Sequence, residues 1–120
     1  MALKVLICDD SIFVRKKMKD AIMNAGVTDI IEASDGQQAV EKYKAEKPDL
    51  CFMDIIMPVK TGVEALKEIR EFDKNAKVIM ASSVGTQANL KEAIVAGAYD
   101  FLQKPIEDAA IKKIIDRVKE

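Results

Sequence analysis

The chain of 120 residues contains no histidine. That absence excludes a Ser-His or Cys-His nucleophile, an imidazole metal site and a phosphohistidine of its own. Cysteine is sparse. Cys8 and Cys51 lie singly inside apolar runs, with no CxxC pair or zinc set, and read as buried reduced thiols. No apolar run approaches the roughly 20 residues that a membrane helix needs. No charged and apolar leader precedes the first strand-like run at Lys4, so the chain is expected in the cytoplasm. An excess of either charge is missing too. The 19 basic and 20 acidic residues leave a net charge of −1, which speaks against nucleic acid or a membrane surface as partner. No linker, internal repeat or low-complexity stretch divides the chain.

What is present is a soluble, single-domain composition, 49% hydrophobic and 32% charged, read as one domain over residues 1–120. Apolar runs alternate with helical periodicity. Lys4–Cys8 reads as a buried strand, and Ser11 offers a cap to a helix over Ile12–Ala25, with Ile12, Val14, Met18, Ala21, Ile22 and Ala25 as its apolar set and Gly26 closing it. Asp29–Ala33 is a weaker second strand. Gln37–Glu46 is a helix carrying Ala39, Val40 and Tyr43, stopped by Pro48. Leu50–Met53 is the third strand. A helix from Thr61 or Gly62 to near Phe72 follows, with Val63, Leu66 and Ile69 on one side. Lys77–Ala81 is the fourth strand, Thr86–Ala96 a less amphipathic helix stopped by Gly97, and Tyr99–Gln103 a fifth strand cut by Lys104-Pro105. Glu107–Lys119 closes the chain with Ala110, Ile111, Ile114, Ile115 and Val118 on one face. Five strand–helix units with short loops predict an α/β fold, a parallel sheet covered on both faces.

The stretch LCFMDIIMPVKTG (50–62) sets one carboxylate, Asp54, between apolar runs, where a charge is costly to bury. Other strands also end in polar groups: Asp9-Asp10 after the first, Ser82 after the fourth and Lys104 after the fifth. In a parallel sheet these ends share one edge, where open α/β sheets place ligands. The acids Asp9, Asp10 and Asp54 in one cleft repel unless one is protonated or a cation neutralises them. Oxygen ligands alone suit Mg²⁺, Mn²⁺ or Ca²⁺. An Asp with a free oxygen beside such an ion can attack phosphorus, with Lys104 as a point charge and the Ser82 hydroxyl as a donor for the transferred group. Ser83 competes for the latter role, and the spacing to Lys104 favours Ser82.

The motifs VLICDDS (5–11), FMDIIMPVKTG (52–62), VIMASS (78–83) and AGAYDFLQKP (96–105), in this order and spacing, resemble the receiver domains of two-component response regulators. The likeness covers essentially the whole chain and is strongest to the stand-alone chemotaxis CheY type. The resemblance implies a flavodoxin-like (βα)5 three-layer sandwich with strand order 2-1-3-4-5. It implies Asp54 as phosphoacceptor, Asp10 as direct ligand of Mg²⁺ (or Mn²⁺), Asp9 holding the ion largely through water, and the Ile56 backbone carbonyl as a further ligand. Ser82 matches the switch hydroxyl, Lys104 the phosphate-binding lysine, and Phe101 the aromatic whose rotamer follows the state. Lys104-Pro105 matches a bond that is often cis in the family.

The implied function is a monomeric signalling protein, not an enzyme acting on other substrates. A histidine kinase, a chemotaxis kinase by the resemblance, donates a phosphoryl group to Asp54. The helix 4–strand 5–helix 5 surface then binds a protein target such as a motor switch or adaptor. A phosphorelay carrier or phosphate sink without an effector is the alternative, and the sequence does not separate the two. A haloacid-dehalogenase phosphohydrolase needs an acid two residues after the nucleophile, where Ile56 stands. A flavodoxin would meet repulsion between Asp9-Asp10 and the flavin phosphate.

The chain also departs from the family pattern. Phe101 replaces the tyrosine of many chemotaxis receivers, and Ser82 lacks a threonine methyl. Ile56 and Val84 put apolar side chains at positions that tune dephosphorylation, so a long-lived phospho-Asp54 is expected.

Overall fold

Short apolar runs alternating with amphipathic helices build the chain, described for residues 2–83 and 87–119 in a computed structural model. In order they are β1 (Lys4–Cys8), α1 (Ile12–Asn24), β2 (Asp29–Ala33), α2 (Gly36–Glu46), β3 (Leu50–Asp54), α3 (Gly62–Phe72), β4 (Val78–Ser82), α4 (Gln87–Ala96), β5 (Asp100–Gln103) and α5 (Asp108–Lys119). The parallel sheet has the order β2-β1-β3-β4-β5. The α/β class and the strand order 2-1-3-4-5 implied by the resemblance are both found.

Side-chain alternation along the strands divides the interior in two. Leu6, Cys8, Cys51, Met53 and Met80 pack with Ala39, Val40 and Tyr43 of α2, Leu66 and Ile69 of α3 and Ala93 of α4. Val5, Ile7, Leu50, Phe52 and Ile79 face the other way, against Met18, Ala21 and Ile22 of α1 and Ile111, Ile114 and Ile115 of α5. Helices α1 and α5 therefore cover one face, and α2, α3 and α4 the other. The connection from β1 to β2 runs toward one edge, and those from β2 onward run back. A single crossover hand requires α1 on the opposite face from α2–α4. The direction reverses between β1 and β3, which places the crevice there.

Local chemistry sets the boundaries. Ser11, Asp35 and Thr61 cap α1, α2 and α3 with side-chain oxygens that accept from Val14, Gln38 and Glu64 amides, and Glu64 completes a capping box at α3. Gly26 and Gly97 follow α1 and α4 at φ +96°, a conformation that glycine adopts without Cβ strain. Several element ends shift by one residue from expectation, and three differences bear on the site or the core. Ile12 is 65% exposed, because it stands in the open first turn of α1 and not over the sheet. Asp54 belongs to β3, since it pairs with Ala81, and the next amide, of Ile55, donates to Ala81 O. Ser82 belongs to β4, since it pairs with Gln103 and its carbonyl accepts from the Lys104 amide. The start of α4 at Thr86 and the residue Val84 lie outside the described residues. Cys8 and Cys51 are buried and free, as expected, with their sulfurs 3.7 Å apart. Burial, first, and then Cys51 push the Cys8 thiol well above its ordinary value, so it stays protonated.

Candidate functional site

The C-terminal ends of β1, β3, β4 and β5 deliver the polar groups to one edge of the sheet. Asp9 directly follows β1. Its amide donates to Ala33 O, its Oδ1 accepts from the Ser11 amide at 2.8 Å, and it is 2% exposed. The Asp-Asp-Ser turn thus closes on the first acid while Ser11 starts α1. Asp10 is exposed, and its carboxylate has no hydrogen bond or ion pair among the described residues. Asp54 is buried at the end of β3, and one oxygen faces the Ile56 amide at 3.4 Å.

One oxygen from each of Asp9, Asp10 and Asp54 lies within 4.8 Å of the others. Lys104 reaches in from the end of β5. Its Nζ donates to Asp9 Oδ2 and to Asp54 Oδ2, each at 2.9 Å. The Lys104–Pro105 bond is cis. Burial pushes the Asp54 carboxyl above its ordinary value. The Lys104 hydrogen bond pulls it back, and the Asp9 charge raises it again, leaving a net upward shift. Burial alone would lower the Lys104 ammonium. The bonds to Asp54 and Asp9 more than offset it and leave the group above its ordinary value, hence charged.

One ammonium among several carboxylates leaves the site anionic. The donor set is all oxygen, with no thiolate or imidazole near it, so its chemistry fits a hard divalent cation.

The remaining residues lie around this cluster. Ser82 is buried at the end of β4, one residue past the register partner of Asp54, whereas Ser83 is exposed. Ile56 follows in the β3–α3 loop with its side chain 55% exposed. Phe101, opposite Met80, is partly buried and packs against the core beneath α4. The edge therefore gathers Asp9, Asp10, Asp54 and Lys104 into direct proximity, with Ser82 beside them. Phe101 sits further back, in the core.

Two residues were not singled out from the sequence. Gly62 opens α3 directly against the phosphoacceptor candidate: a Cβ there would lie 2.0 Å from the Asp54 carbonyl oxygen. Its place in the turn was legible, but the contact was not. Arg15 donates through Nη1 to the Asp9 carbonyl at 2.6 Å and through Nε to Glu32 Oε1 at 3.1 Å. In the run RKKMK (15–19) nothing in the spacing sets it apart from the lysines.

Residues 5–116 match the response regulator receiver domain family. The chain is 47% identical to the chemotaxis protein CheY of Thermotoga maritima, over 98% of each chain. It is 44% identical to the chemotaxis protein CheY of Bacillus subtilis, again over 98% of each. Among solved structures it is similar to a chain of the CheX–CheY–BeF3–Mg²⁺ complex from Borrelia burgdorferi, with a TM-score of 0.90 and 38% identity over 98% of this chain and 90% of that one.

Proposed function

Because this chain belongs to the response regulator receiver domain family, as a receiver of the CheY type, we propose that it is a phosphorylation switch in which Asp54 is the phosphoacceptor. One observation carries this reading: the carboxylates of Asp9, Asp10 and Asp54 converge within 4.8 Å at the end of two adjacent strands, with Lys104 on two of them.

Asp54 attacks through a carboxylate oxygen. A new O–P bond forms, the P–N bond of a phosphohistidine on another chain breaks, and the electron pair leaves with the imidazole nitrogen. The absence of histidine here requires that external donor, or a small acyl phosphate. Lys104 offers several N–H donors on one nitrogen and can turn from the Asp carboxylates to a phosphoryl oxygen. In this reading the Ser82 hydroxyl donates to another phosphoryl oxygen, which its position one residue beyond the register partner of Asp54 supports. Asp9, Asp10, an Asp54 oxygen and the Ile56 carbonyl would hold Mg²⁺ or Mn²⁺, which supplies charge neutralisation for the carboxylates and the incoming group. The complex of the Borrelia relative with BeF3 and Mg²⁺ supports that choice of ion.

Drawing Ser82 and Lys104 toward a phosphorylated Asp54 would pull on the ends of β4 and β5. Phe101, packed beneath α4, would reorient into space left by the Ser82 segment. The α4–β5–α5 face, which exposes Ile94, Val95 and Tyr99, would then change shape for a protein target such as a motor switch or adaptor. We read the unit as a single receiver domain over residues 1–120, fed by a histidine kinase of chemotaxis type. Incubation with acetyl phosphate and Mg²⁺ followed by intact mass tests the chemistry. One added phosphoryl group is expected, and none in Asp54→Asn. A folded wild-type protein that gains no mass would sink the proposal.

A further inference from the structure

Asp9 and Asp54 are held by Lys104, but the Asp10 carboxylate has no such partner among the described residues. Its position is set by backbone alone. The Asp9–Asp10 peptide is a rigid plane, so whatever fixes the Asp9 carbonyl fixes ψ of Asp9 and the direction in which residue 10 leaves it. That carbonyl is held by Arg15 Nη1 at 2.6 Å. The Arg15 side chain is 14% exposed, and a cation so covered needs a counter-charge. Glu32 on β2 supplies it, through the 3.1 Å bond from Arg15 Nε. Glu32 is steadied in turn: Lys42 Nζ donates to its carbonyl, and Lys19 stands 3.9 Å from its other carboxylate oxygen.

We infer that Arg15, braced by Glu32, is a positioning residue that aims Asp10 at the metal site and so sets the affinity for the divalent cation. The inference rests on the metal-site reading given above. The guanidinium differs from an ammonium in geometry. Two separate nitrogens in a planar, fixed fork each hold one acceptor along a set direction, one on β2 and one in the turn after β1, whereas a lysine would have to draw both acceptors to one nitrogen on a flexible stem. A single ammonium in the same place would keep the charge and lose the clamp. The Arg15 bonds go to the Asp9 carbonyl and to Glu32, not to the carboxylates of Asp9, Asp10 or Asp54, so it acts through the backbone of Asp9 and Asp10.

Mg²⁺ titration by calorimetry on the full chain tests this, using wild type, Arg15→Ala, Arg15→Lys, Glu32→Gln and the control Tyr43→Phe. Tyr43 bonds Asp73 on the far side of the sheet, so its loss lowers thermal stability without touching the turn after β1. Outer partners that orient metal ligands typically cost about tenfold in affinity when removed, and that loss is expected for Arg15→Ala and Arg15→Lys. Glu32→Gln is expected to lose affinity in the same direction, and Tyr43→Phe to bind as wild type does.

If Arg15→Lys or Arg15→Ala binds Mg²⁺ like wild type, the inference is overturned while the metal site stands. If Tyr43→Phe weakens binding as much as the Arg15 variants, general destabilisation explains the effect and the inference fails. A wild-type protein that takes up no Mg²⁺ overturns the metal-site reading and this inference with it. Should Arg15→Ala not fold, Arg15→Lys and Glu32→Gln carry the same comparison.

Discussion

Val59, in the loop between Asp54 and α3, has φ +71°, a left-handed conformation that crowds a β-branched side chain. The side chain is 80% exposed, so no packing compensates for the strain. Val59→Gly is expected to raise stability by roughly 1 kcal/mol, seen as a higher midpoint in urea at unchanged slope. A lower midpoint would show that the Val59 side chain contributes contacts beyond those described. Ile56, two residues past the phosphoacceptor candidate, carries the other residue-scale consequence. An exposed aliphatic side chain cannot orient a water for attack on an acyl phosphate. Phospho-Asp54 is therefore expected to persist, measured as slow loss of phosphoryl label under Mg²⁺ once the donor is removed. Loss as quick as in receivers bearing an acid or amide there would defeat that expectation.

At the scale of the element, α3 is joined to the site by a glycine. A Cβ at residue 62 would press on backbone, the Asp54 carbonyl, which cannot swing aside as a long side chain can. Gly62→Ala is expected to cost about 1–3 kcal/mol as overpacking, and to depress phosphorylation by displacing Asp54. Full activity at full stability would show that α3 shifts freely. The β5–α5 pairing gives a pH signature. A hydrogen bond from Arg117 holds the Asp100 carboxyl below its ordinary value, against a smaller opposing effect of burial, and the Phe101 amide adds to it. A carboxyl lowered in the folded state stabilises above its ordinary value of 3.8, and that contribution is lost as pH falls through the lower folded value. Arg117→Ala should thus lower Tm slightly at neutral pH, with the gap to wild type closing well below pH 3.8. A gap that is constant with pH would mean the loss is packing against Tyr99, over whose ring Arg117 lies.

Strand and helix order was legible because each apolar run ends at a distinct stop: a polar or charged residue, a glycine or a proline. The ends of β3 and β4 were less so. Whether Asp54 or Ser82 still belongs to a strand depends on a neighbour that accepts or donates, and that neighbour is remote in sequence. The same limit explains the site. Asp9, Asp10, Asp54, Ser82 and Lys104 stood out as polar groups where apolar runs stop. The bridge from Lys104 to two carboxylates, and the reach of Arg15 to a backbone carbonyl, depend on tertiary distances that no local pattern encodes.

For the whole molecule, the two half-cores on either side of the sheet are built of different materials. The α1–α5 side is dominated by stiff, branched side chains, Ile7, Ile22, Ile79, Ile111, Ile114 and Ile115. The α2–α4 side adds Met53, Met57 and Met80 to its own branched residues such as Leu66 and Ile69, and methionine is an unbranched side chain that re-packs at low cost. Mechanically the sheet is clamped by a rigid plate on one face and rests on a compliant cushion on the other. A load applied at the crevice should then be absorbed as side-chain motion on the α2–α4 side and transmitted as rigid displacement on the other. Methyl relaxation measured by NMR should find Met80 and Met53 more mobile than Ile79 and Ile111. Equal mobility on the two faces would show a core of uniform stiffness.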